Sequence, residues 1–331
     1  MSEERYLVNE QGKYGYIDNS GQIMIPLQFA DATTFSEGLA AVKIEGKWGF
    51  VNTKGKVVIS PQFAEVRPFV EGLALVKIDN LWGAIDHQET LVVKNQFAQL
   101  NNFSEGLAAA QKDGKWGFIN KTGEFIVSPQ YESVAQFSEG RAKFFQNNLV
   151  GFVDNEGRQV SKAKFEAAES FSEGVAAVKY GGWGFINKKG KWVVRPWLGW
   201  TSSFSEGLAA AESKGKWGFI NSKGKWAISP QFEFAGKFAE GLAPIKLNNK
   251  MGYIDETGKI AIESQFQIAE EFTNGLAPVK SNSKWGLIDK TGQMVVPARL
   301  DYVNNFENTL WHSTLEGEYV YIDKQGKQVW P

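Results

Sequence analysis

The fold of this chain is set by one stretch in its second repeat, Gly46-Lys47-Trp48-Gly49-Phe50-Val51-Asn52-Thr53-Lys54-Gly55. The same pattern returns almost unchanged at residues 114–123 and 215–224. The Trp-Gly slot recurs every 34 residues, with one step of 33, at positions 14/15, 48/49, 82/83, 116/117, 150/151, 183/184, 217/218, 251/252, 285/286 and 319/320. Such self-similarity is typical of solenoids, propellers and arrays. The spacing predicts ten tandem repeats that form one array over residues 1–331.

Composition and charge narrow the function classes. The 331 residues include 36 Lys and Arg against 37 Asp and Glu, so the net charge is -1 and no basic run predicts a nucleic-acid partner. The chain has no cysteine, which excludes disulfides and thiolate metal sites. No stretch is apolar enough to predict membrane insertion, and the first residues do not resemble a signal peptide. We therefore expect a soluble, cytoplasmic protein, and leave open an export signal removed beforehand.

Each repeat reads as three strands. A short apolar run ends in a hairpin whose turn holds Gly or Asn in nine of ten repeats, residues that tolerate a positive φ. The second strand carries the Trp-Gly pair, where the glycine lets another backbone approach closely. An Asp or Asn then opens a second turn that closes on glycine three residues later, as Asn52 and Gly55 do. The pattern predicts a three-stranded antiparallel meander.

A connector of about a dozen residues joins each repeat to the next. In the second repeat its apolar residues are Phe63, Val66 and Phe69, and their spacing by three suggests an irregular or one-turn helical segment. One meander cannot bury its aromatic residues alone, so neighbours must stack. We expect an all-β fold of ten such units stacked as an open, solenoid-like array. The alternative is propeller-like, for example two five-bladed rings. The first and last repeats diverge, as caps should.

The recurring Lys-Trp-Gly-Phe-Ile-Asn, the glycine four residues further on and the Phe-Ser-Glu-Gly-Leu-Ala that follows resemble the WG-repeat (KWG-repeat) family of bacterial proteins. The resemblance covers essentially the whole chain. It implies an all-β repeat protein with no assigned catalytic residue, of a kind supposed to mediate interactions. Repeats three, five and ten depart most from the family pattern.

The repeat offers little enzyme chemistry. An active site needs a singular constellation, whereas most polar residues here are multiplied by the repeat. One glutamate per repeat recurs at Glu37, Glu71, Glu105, Glu139, Glu173, Glu206 and Glu240. A row of cation sites is conceivable, but a single acid per repeat favours turn capping. The sequence therefore predicts no enzyme, no cofactor and no metal site.

The best candidate binding residues are aromatic residues that break the pattern. Trp192, Trp197 and Trp200 crowd around Arg195, and Trp226 occupies in the next repeat the position of Trp192. Trp197 replaces a glutamine found in several other repeats. Aromatic side chains beside an arginine suit a protein hot spot or a sugar-stacking platform. Local repacking around the shortened turn at residues 180–182 is the structural alternative.

Two functions follow from these observations. The leading hypothesis is a protein–protein interaction scaffold, since a long repeat surface commonly serves partners. The alternative is a lectin-like module that stacks exposed tryptophans on a glycan. The predicted partners are therefore proteins, or else a glycan.

Overall fold

A computed structural model describes residues 4–307 and 309–331, without the side chains of Asn305 and Glu307. These residues form strands and turns, with no helix among them, and so none with the length and apolar character needed to cross a membrane. The structure groups into two units, Met1–Ala163 and Lys164–Pro331, called here the N-terminal and C-terminal units. The single array over residues 1–331 stays a prediction.

The strands of the N-terminal unit, ending with the one that contains Ala163, are β1 Tyr6–Glu10, β2 Lys13–Ile17, β3 Ile23–Phe29, β4 Asp31–Ala32, β5 Leu39–Ile44, β6 Lys47–Asn52, β7 Val57–Phe63, β8 Glu65–Val66, β9 Ala74–Ile78, β10 Leu81–Ile85, β11 Leu91–Phe97, β12 Gln99–Leu100, β13 Leu107–Lys112, β14 Lys115–Asn120, β15 Phe125–Tyr131, β16 Ser133–Val134, β17 Arg141–Gln146, β18 Leu149–Asp154 and β19 Gln159–Phe165.

The strands of the C-terminal unit are β20 Ala167–Ala168, β21 Val175–Lys179, β22 Trp183–Asn187, β23 Trp192–Leu198, β24 Trp200–Thr201, β25 Leu208–Ser213, β26 Lys216–Asn221, β27 Trp226–Phe232, β28 Phe234–Ala235, β29 Leu242–Leu247, β30 Lys250–Asp255, β31 Ile260–Phe266, β32 Ile268–Ala269, β33 Leu276–Ser281, β34 Lys284–Asp289, β35 Met294–Leu300, β36 Tyr302–Glu307, β37 Leu310–Leu315, β38 Glu318–Asp323 and β39 Gln328–Trp330.

Each repeat forms one antiparallel sheet with its strands in chain order. The first sheet has three strands among the described residues, β1 to β3, and the other nine have four. The additional strand lies at the edge of the sheet and holds only two residues in sheets two to nine, as in Glu65–Val66. The predicted three-stranded meander was therefore short by one strand. Of the two predictions for the connector, the helical turn was wrong, and the irregular segment is found together with this short edge strand.

The hairpin turns follow the sequence prediction. Asn80, Asn249 and Ser283 have φ of 65°, 61° and 64°, and the glycines at the equivalent positions also have positive φ. The residue before each is in the same region, for example Asp79 at 50°, except in the shortened turn of the sixth repeat, where Tyr180 precedes Gly181. Positive φ at both central residues defines the type I′ turn, whose twist matches that of the flanking strands.

The Trp-Gly glycine gives the next strand room to cross. A Cβ placed on Gly49 would lie 2.5 Å from the carbonyl oxygen of Ile59 and 2.7 Å from the nitrogen of Pro61. The register between β6 and β7 shifts at this point, so β7 bulges directly over the glycine. The close approach expected from the sequence is confirmed, and any side chain here would displace backbone.

Successive sheets within each unit are joined by shared apolar cores. In one such core Phe219 and Ile228 of the seventh sheet pack with Phe238, Ile245 and Ile254 of the eighth. Equivalent clusters join each neighbouring pair inside both units. Four-stranded antiparallel sheets are the blades of β-propellers. The sheets are thus of the propeller type, and the open solenoid-like stack of three-stranded units that the sequence favoured was wrong.

Side chains also bond each turn to the next repeat. The carboxylate of Glu37 accepts the backbone N–H of Gly72 at 3.0 Å, and the Ser36 hydroxyl donates to the carbonyl of Phe69 at 2.6 Å. The same glutamate bond recurs from Glu71 to Gly106, Glu105 to Gly140, Glu173 to Gly207, Glu206 to Gly241 and Glu240 to Gly275. These glutamates cap turns, as the sequence favoured.

Candidate functional site

The structure brings two of the five predicted patch residues together. Trp197 lies on β23 and Trp226 on β27, and their rings meet edge to face with centroids 5.7 Å apart. Trp197 is 49% exposed, whereas Trp226 is half-buried against the core between the sixth and seventh sheets. The exposed indole is therefore held by the second one.

The other predicted residues lie elsewhere. Trp192 is half-buried and packs against Phe165, with ring centroids 6.0 Å apart. Arg195 is exposed on β23. Trp200 begins β24 and contacts two tryptophans of the Trp-Gly slot rather than the Trp197 pair. The predicted patch is thus two sites, one around Trp197 and one around Trp200, and their role in binding stays a prediction.

The Trp200 site extends to later repeats. Trp200, Phe234, Ile268 and Tyr302 each occupy the first position of the edge strand in sheets seven to ten. Their exposed fractions are 44%, 42%, 41% and 51%, respectively. Large apolar side chains at one edge position of four consecutive sheets form a row that the core does not need. We call these four residues the edge row.

The edge row alternates with the Trp-Gly slot at intervals of 17 residues. Each edge-row residue is aligned, through one residue of the intervening strand, with the first residue of the Trp-Gly pair in the same sheet. For example, Phe234 pairs with Lys246, and Lys246 pairs with Met251. From residue 183 onward the alternating series reads Trp183, Trp200, Trp217, Phe234, Met251, Ile268, Trp285, Tyr302 and Tyr319. All nine side chains are aromatic or aliphatic.

Ring contacts carry this series from sheet to sheet. Trp200 lies 6.2 Å from Trp183 in the preceding sheet and 5.2 Å from Trp217 in its own. Trp217 in turn lies 5.5 Å from Phe234 in the following sheet. A similar contact of 6.1 Å joins Trp285 to Tyr302. Three of the four edge-row residues, Trp200, Phe234 and Tyr302, are therefore each in contact with a half-buried or buried ring.

The C-terminal end of the series includes a histidine. The imidazole of His312 lies 5.1 Å from the ring of Tyr319, at an angle of 35°. Burial lowers the pKa of His312, since the charged imidazolium is disfavoured away from water. The apolar character of this end is thus kept at neutral pH.

Lysines lie beside the edge row. Lys246 pairs directly with Phe234, and Lys280 with Ile268, on the adjacent strand. The ammonium of Lys280 also sits 5.8 Å from the ring centroid of Trp285. Positive charge therefore lies next to Phe234 and Ile268 of the row, whereas the residue paired with Trp200 is Glu212.

The N-terminal unit carries a different edge position. Its edge strands begin with Asp31, Glu65, Gln99 and Ser133. Glu65 forms an ion pair with Lys77 at 2.7 Å, and this lysine lies 5.6 Å from the ring of Trp82. Charge and hydrogen bonding thus replace apolar surface at the same structural position.

Sequence reasoning identified Trp200 but missed the row. Phe234, Ile268 and Tyr302 follow Trp200 at steps of 34 residues, so aligning the repeats in columns would have revealed them. The signal was hidden because the edge strand was read as connector. The described residues contain no group of three or more His, Asp or Glu side chains placed to hold a metal ion.

Comparison with protein families gives matches along most of the chain. The profile described as "WG containing repeat" matches nine consecutive stretches, at residues 14–48, 48–82, 82–116, 116–149, 151–182, 183–217, 217–250, 251–285 and 285–308. Each stretch begins at one Trp-Gly slot, and all but the last end at or near the next, so a stretch spans the second half of one sheet and the first half of the following sheet. Among curated proteins, none matches this sequence.

Several solved structures match this chain over most of its length. A crystal structure of the eukaryotic initiation factor is 10% identical, with a TM-score of 0.53, and the match covers 88% of this chain and 95% of that one. BamB from Moraxella catarrhalis is 11% identical at a TM-score of 0.36, over 78% and 93% of the two chains. The dihydro-heme d1 dehydrogenase NirN is 13% identical at 0.40, over 89% and 72%. At 10% identity, the match to the initiation factor shows a likeness of fold alone.

Proposed function

The chain belongs to the family of proteins built from the WG containing repeat, and we propose that it is a non-catalytic scaffold that binds proteins through its C-terminal unit. The observation that carries this proposal is the edge row, Trp200, Phe234, Ile268 and Tyr302, exposed at one position of four consecutive sheets. Contiguous exposed apolar surface marks interaction sites, and aromatic residues dominate the energetics of such interfaces.

The chemistry of the row defines the partner. The row presents rigid rings, which bind with little loss of conformational freedom. Lys246 and Lys280 flank it with positive charge. We therefore expect a protein segment that combines apolar side chains with acidic ones. Charge complementarity would steer the encounter, and ring burial would supply most of the affinity.

Affinity capture with a matched pair of variants tests this function. In the edge-row variant Trp200, Phe234, Ile268 and Tyr302 are all replaced by serine. The control carries Ile23→Ser, Val57→Ser, Leu91→Ser and Ile126→Ser, four apolar residues of the N-terminal unit that are 40–47% exposed. Circular dichroism establishes that both variants fold. We expect proteins that the wild type and the control retain, and that the edge-row variant loses.

Two outcomes would contradict the proposal. Equal capture by all three proteins would show that the edge row is not the binding surface. Loss in both variants would show that the capture depends on general hydrophobicity. A purified partner identified in this way is then titrated against each variant to obtain dissociation constants.

The proposal includes a cytoplasmic location and the absence of catalysis. Fractionation of source cells tests the location, and enrichment outside the cytoplasm would overturn it. An enzymatic activity that co-purifies with the chain and is abolished by a single substitution would overturn the absence of catalysis.

A glycan-binding role is the second candidate, favoured by the Trp197 site. Trp197 is 49% exposed and braced by Trp226, with the exposed Arg195 on the same strand. An exposed, immobilised indole suits stacking on a sugar ring. Glycan-array binding that Trp197→Ala abolishes and the edge-row variant keeps would support it. An array without signal would remove this candidate.

A further inference from the structure

A cavity of about 310 Å³ lies between the ninth and tenth sheets of the C-terminal unit. It is lined by Glu270, Glu271 and Pro278 of the ninth repeat and by Asn304, Phe306 and Trp311 of the tenth, among others. The volume is at the lower end of the range for small-ligand sites, about 300–1,000 Å³. None of these residues belongs to the edge row or to the Trp197 site.

The cavity forms where the tenth repeat departs from the others. Trp311 pairs with Ile322 across β37 and β38. The equivalent position in the ninth sheet is Ala277, which pairs with Ile288, and sheets two to eight also have alanine there. Phe306 lies opposite Trp311, with ring centroids 5.2 Å apart. A large aromatic pair thus replaces the small residue that the repeat normally places here.

Trp311 brings an unused hydrogen-bond donor to this cavity. Its side chain is 4% exposed, and Nε1 has no hydrogen-bond partner in the described part of the chain. A buried N–H without a partner costs about 1–3 kcal/mol, and such groups are rare in folded proteins. An acceptor from a ligand would satisfy it.

Two adjacent carboxylates give the cavity negative charge. None of its described lining residues is basic, and Glu270 and Glu271 have no ion-pair partner in the described structure. Partial burial, together with the charge of Glu271, raises the pKa of Glu270. The Nζ of Lys324, which does not line the cavity, lies over the Phe306 ring, 5.5 Å from its centroid. That contact shows that the aromatic face of Phe306 attracts positive charge.

We infer that this cavity binds the ammonium or guanidinium group of a ligand that also carries a hydrogen-bond acceptor. The cation lies against the carboxylates of Glu270 and Glu271 beside the Phe306 ring, and the acceptor takes the proton of Trp311 Nε1. A lysine or arginine residue of a peptide fits this chemistry, and so does a free amine with an oxygen nearby. The site is independent of the edge row and of the function proposed for it.

The test titrates the full chain with N-acetyl-arginine methylamide and follows the indole N–H resonance of Trp311 by NMR. The resonance is assigned by its loss in Trp311→Phe. We expect a saturable shift of this resonance and a dissociation constant at least about tenfold lower than for N-acetyl-norleucine methylamide, which lacks the charge. Equal binding of the two compounds, or binding that leaves the indole resonance unmoved, would overturn the inference.

Variants separate the cavity from general charge attraction. Glu270→Gln/Glu271→Gln removes two charges at the cavity, and Glu256→Gln/Glu263→Gln removes two exposed charges that do not line it. Binding should weaken about tenfold or more in the first variant and less than twofold in the second. Equal losses would mean that net charge alone attracts the ligand, and would overturn the site.

Two further compounds test whether the ligand needs a hydrogen-bond acceptor and whether it is a peptide or a free amine. Butylguanidine carries the cation without a carbonyl and should bind about fivefold more weakly than the arginine derivative. If it binds as tightly, the role of Trp311 is wrong. An acetylated Ala-Arg-Ala amide that binds more tightly than arginine amide supports the site and assigns it to peptides, and the reverse order supports it for free amines.

Discussion

The first residue of the edge strand differs between the two units, although the sheets that carry it are alike. In the N-terminal unit this position holds Asp31, Glu65, Gln99 and Ser133. In the last four sheets of the C-terminal unit it holds Trp200, Phe234, Ile268 and Tyr302. In sheets one to nine the Trp-Gly crossing shows no such contrast, and the hairpin turns differ only at the shortened turn of the sixth repeat. Positions that the backbone constrains are thus kept, while a position that only solvent constrains has diverged between the units.

The comparison separates scaffold from surface. Gly49 and Gly252, one in each unit, both face a crossing strand and admit no side chain. Glu65 and Phe234 occupy the equivalent position in two different sheets, and the backbone accommodates either side chain there. Apolar side chains exposed without a packing reason indicate a binding surface, and the C-terminal unit concentrates them at the edge row.

The largest effect is expected at the crossing glycines, where the units should behave alike. A Cβ at Gly49 would lie 2.5 Å, and at Gly252 2.6 Å, from a backbone carbonyl oxygen. Gly49→Ala and Gly252→Ala should each lower the free energy of unfolding by about 2–3 kcal/mol, measured in urea. Gly182→Ala is the control, because its nearest atoms are 3.5 Å away. A large effect in only one unit would show that the two units do not share this structural requirement.

The next effect concerns binding and should be confined to the C-terminal unit. Trp200→Ser/Phe234→Ser removes two ring anchors, each worth about 1 kcal/mol or more in an interface. The dissociation constant for the captured partner should rise about 30-fold, as calorimetry would measure. Glu65→Ser/Gln99→Ser, the same positions in the N-terminal unit, should leave it within about twofold. A comparable loss of affinity in both double variants would show that binding is not confined to the C-terminal unit.

A smaller effect tests the turn-capping glutamates with acid. Burial by itself would raise the pKa of Glu71, but bonds from Gly106 and Lys121 outweigh it and lower the pKa; burial of Glu240 is likewise outweighed by Lys290 and Gly275. A lowered pKa stabilises the fold above the unfolded-state pKa of about 4.3, and this contribution is lost as pH falls through the folded value.

The matching substitutions are Glu71→Gln in one unit and Glu240→Gln in the other. Each should cost about 1 kcal/mol at pH 7, and the difference from wild type should shrink below about pH 4. Urea unfolding at pH 7 and pH 3.5 measures both. A difference that stays constant with pH would show that the charge of the carboxylate is irrelevant.

The smallest effect is expected at the polar edge position. The Glu65 side chain is 56% exposed in its ion pair with Lys77, so solvent screens the pair. Glu65→Gln should change the free energy of unfolding by about 0.3 kcal/mol, and less in high salt. A loss above about 1 kcal/mol would mean that the polar edge stabilises the sheet, and that its divergence needs a structural explanation.

Turn chemistry made much of this fold predictable from the sequence. Gly46 and Asn80 recur where φ must be positive, and Gly49 where backbones cross, because those requirements act on single residues. The edge strand escaped prediction because two residues, such as Trp200–Thr201, show no alternation. Spacing by three in the connector resembled a helical turn, but it arises from extended chain bending between two strands.

The candidate sites were less predictable because they depend on contacts between repeats. Neighbouring tryptophans on one stretch were expected to share a patch, yet Trp197 meets Trp226 and Trp200 meets Trp217. Proximity in sequence does not predict which neighbouring strand or sheet a side chain contacts. The tenth repeat stood out as a departure from the pattern, but the residues that line the cavity with its Trp311 include Glu270 and Glu271 of the preceding repeat.

The bonds from Glu37 to Gly72 and from Ser36 to Phe69 have a genetic consequence. Each repeat carries one half of a joint and the next repeat carries the other half, 33 residues on for the serine bond and 35 for the glutamate bond, and one residue fewer across the shortened turn of the sixth repeat. Duplication or deletion of one whole 34-residue segment therefore recreates intact joints at the new boundary. The joints themselves then need no compensating mutation. They also tolerate a change of length inside a hairpin turn, since the shortened turn at residues 180–182 leaves both bonds in place.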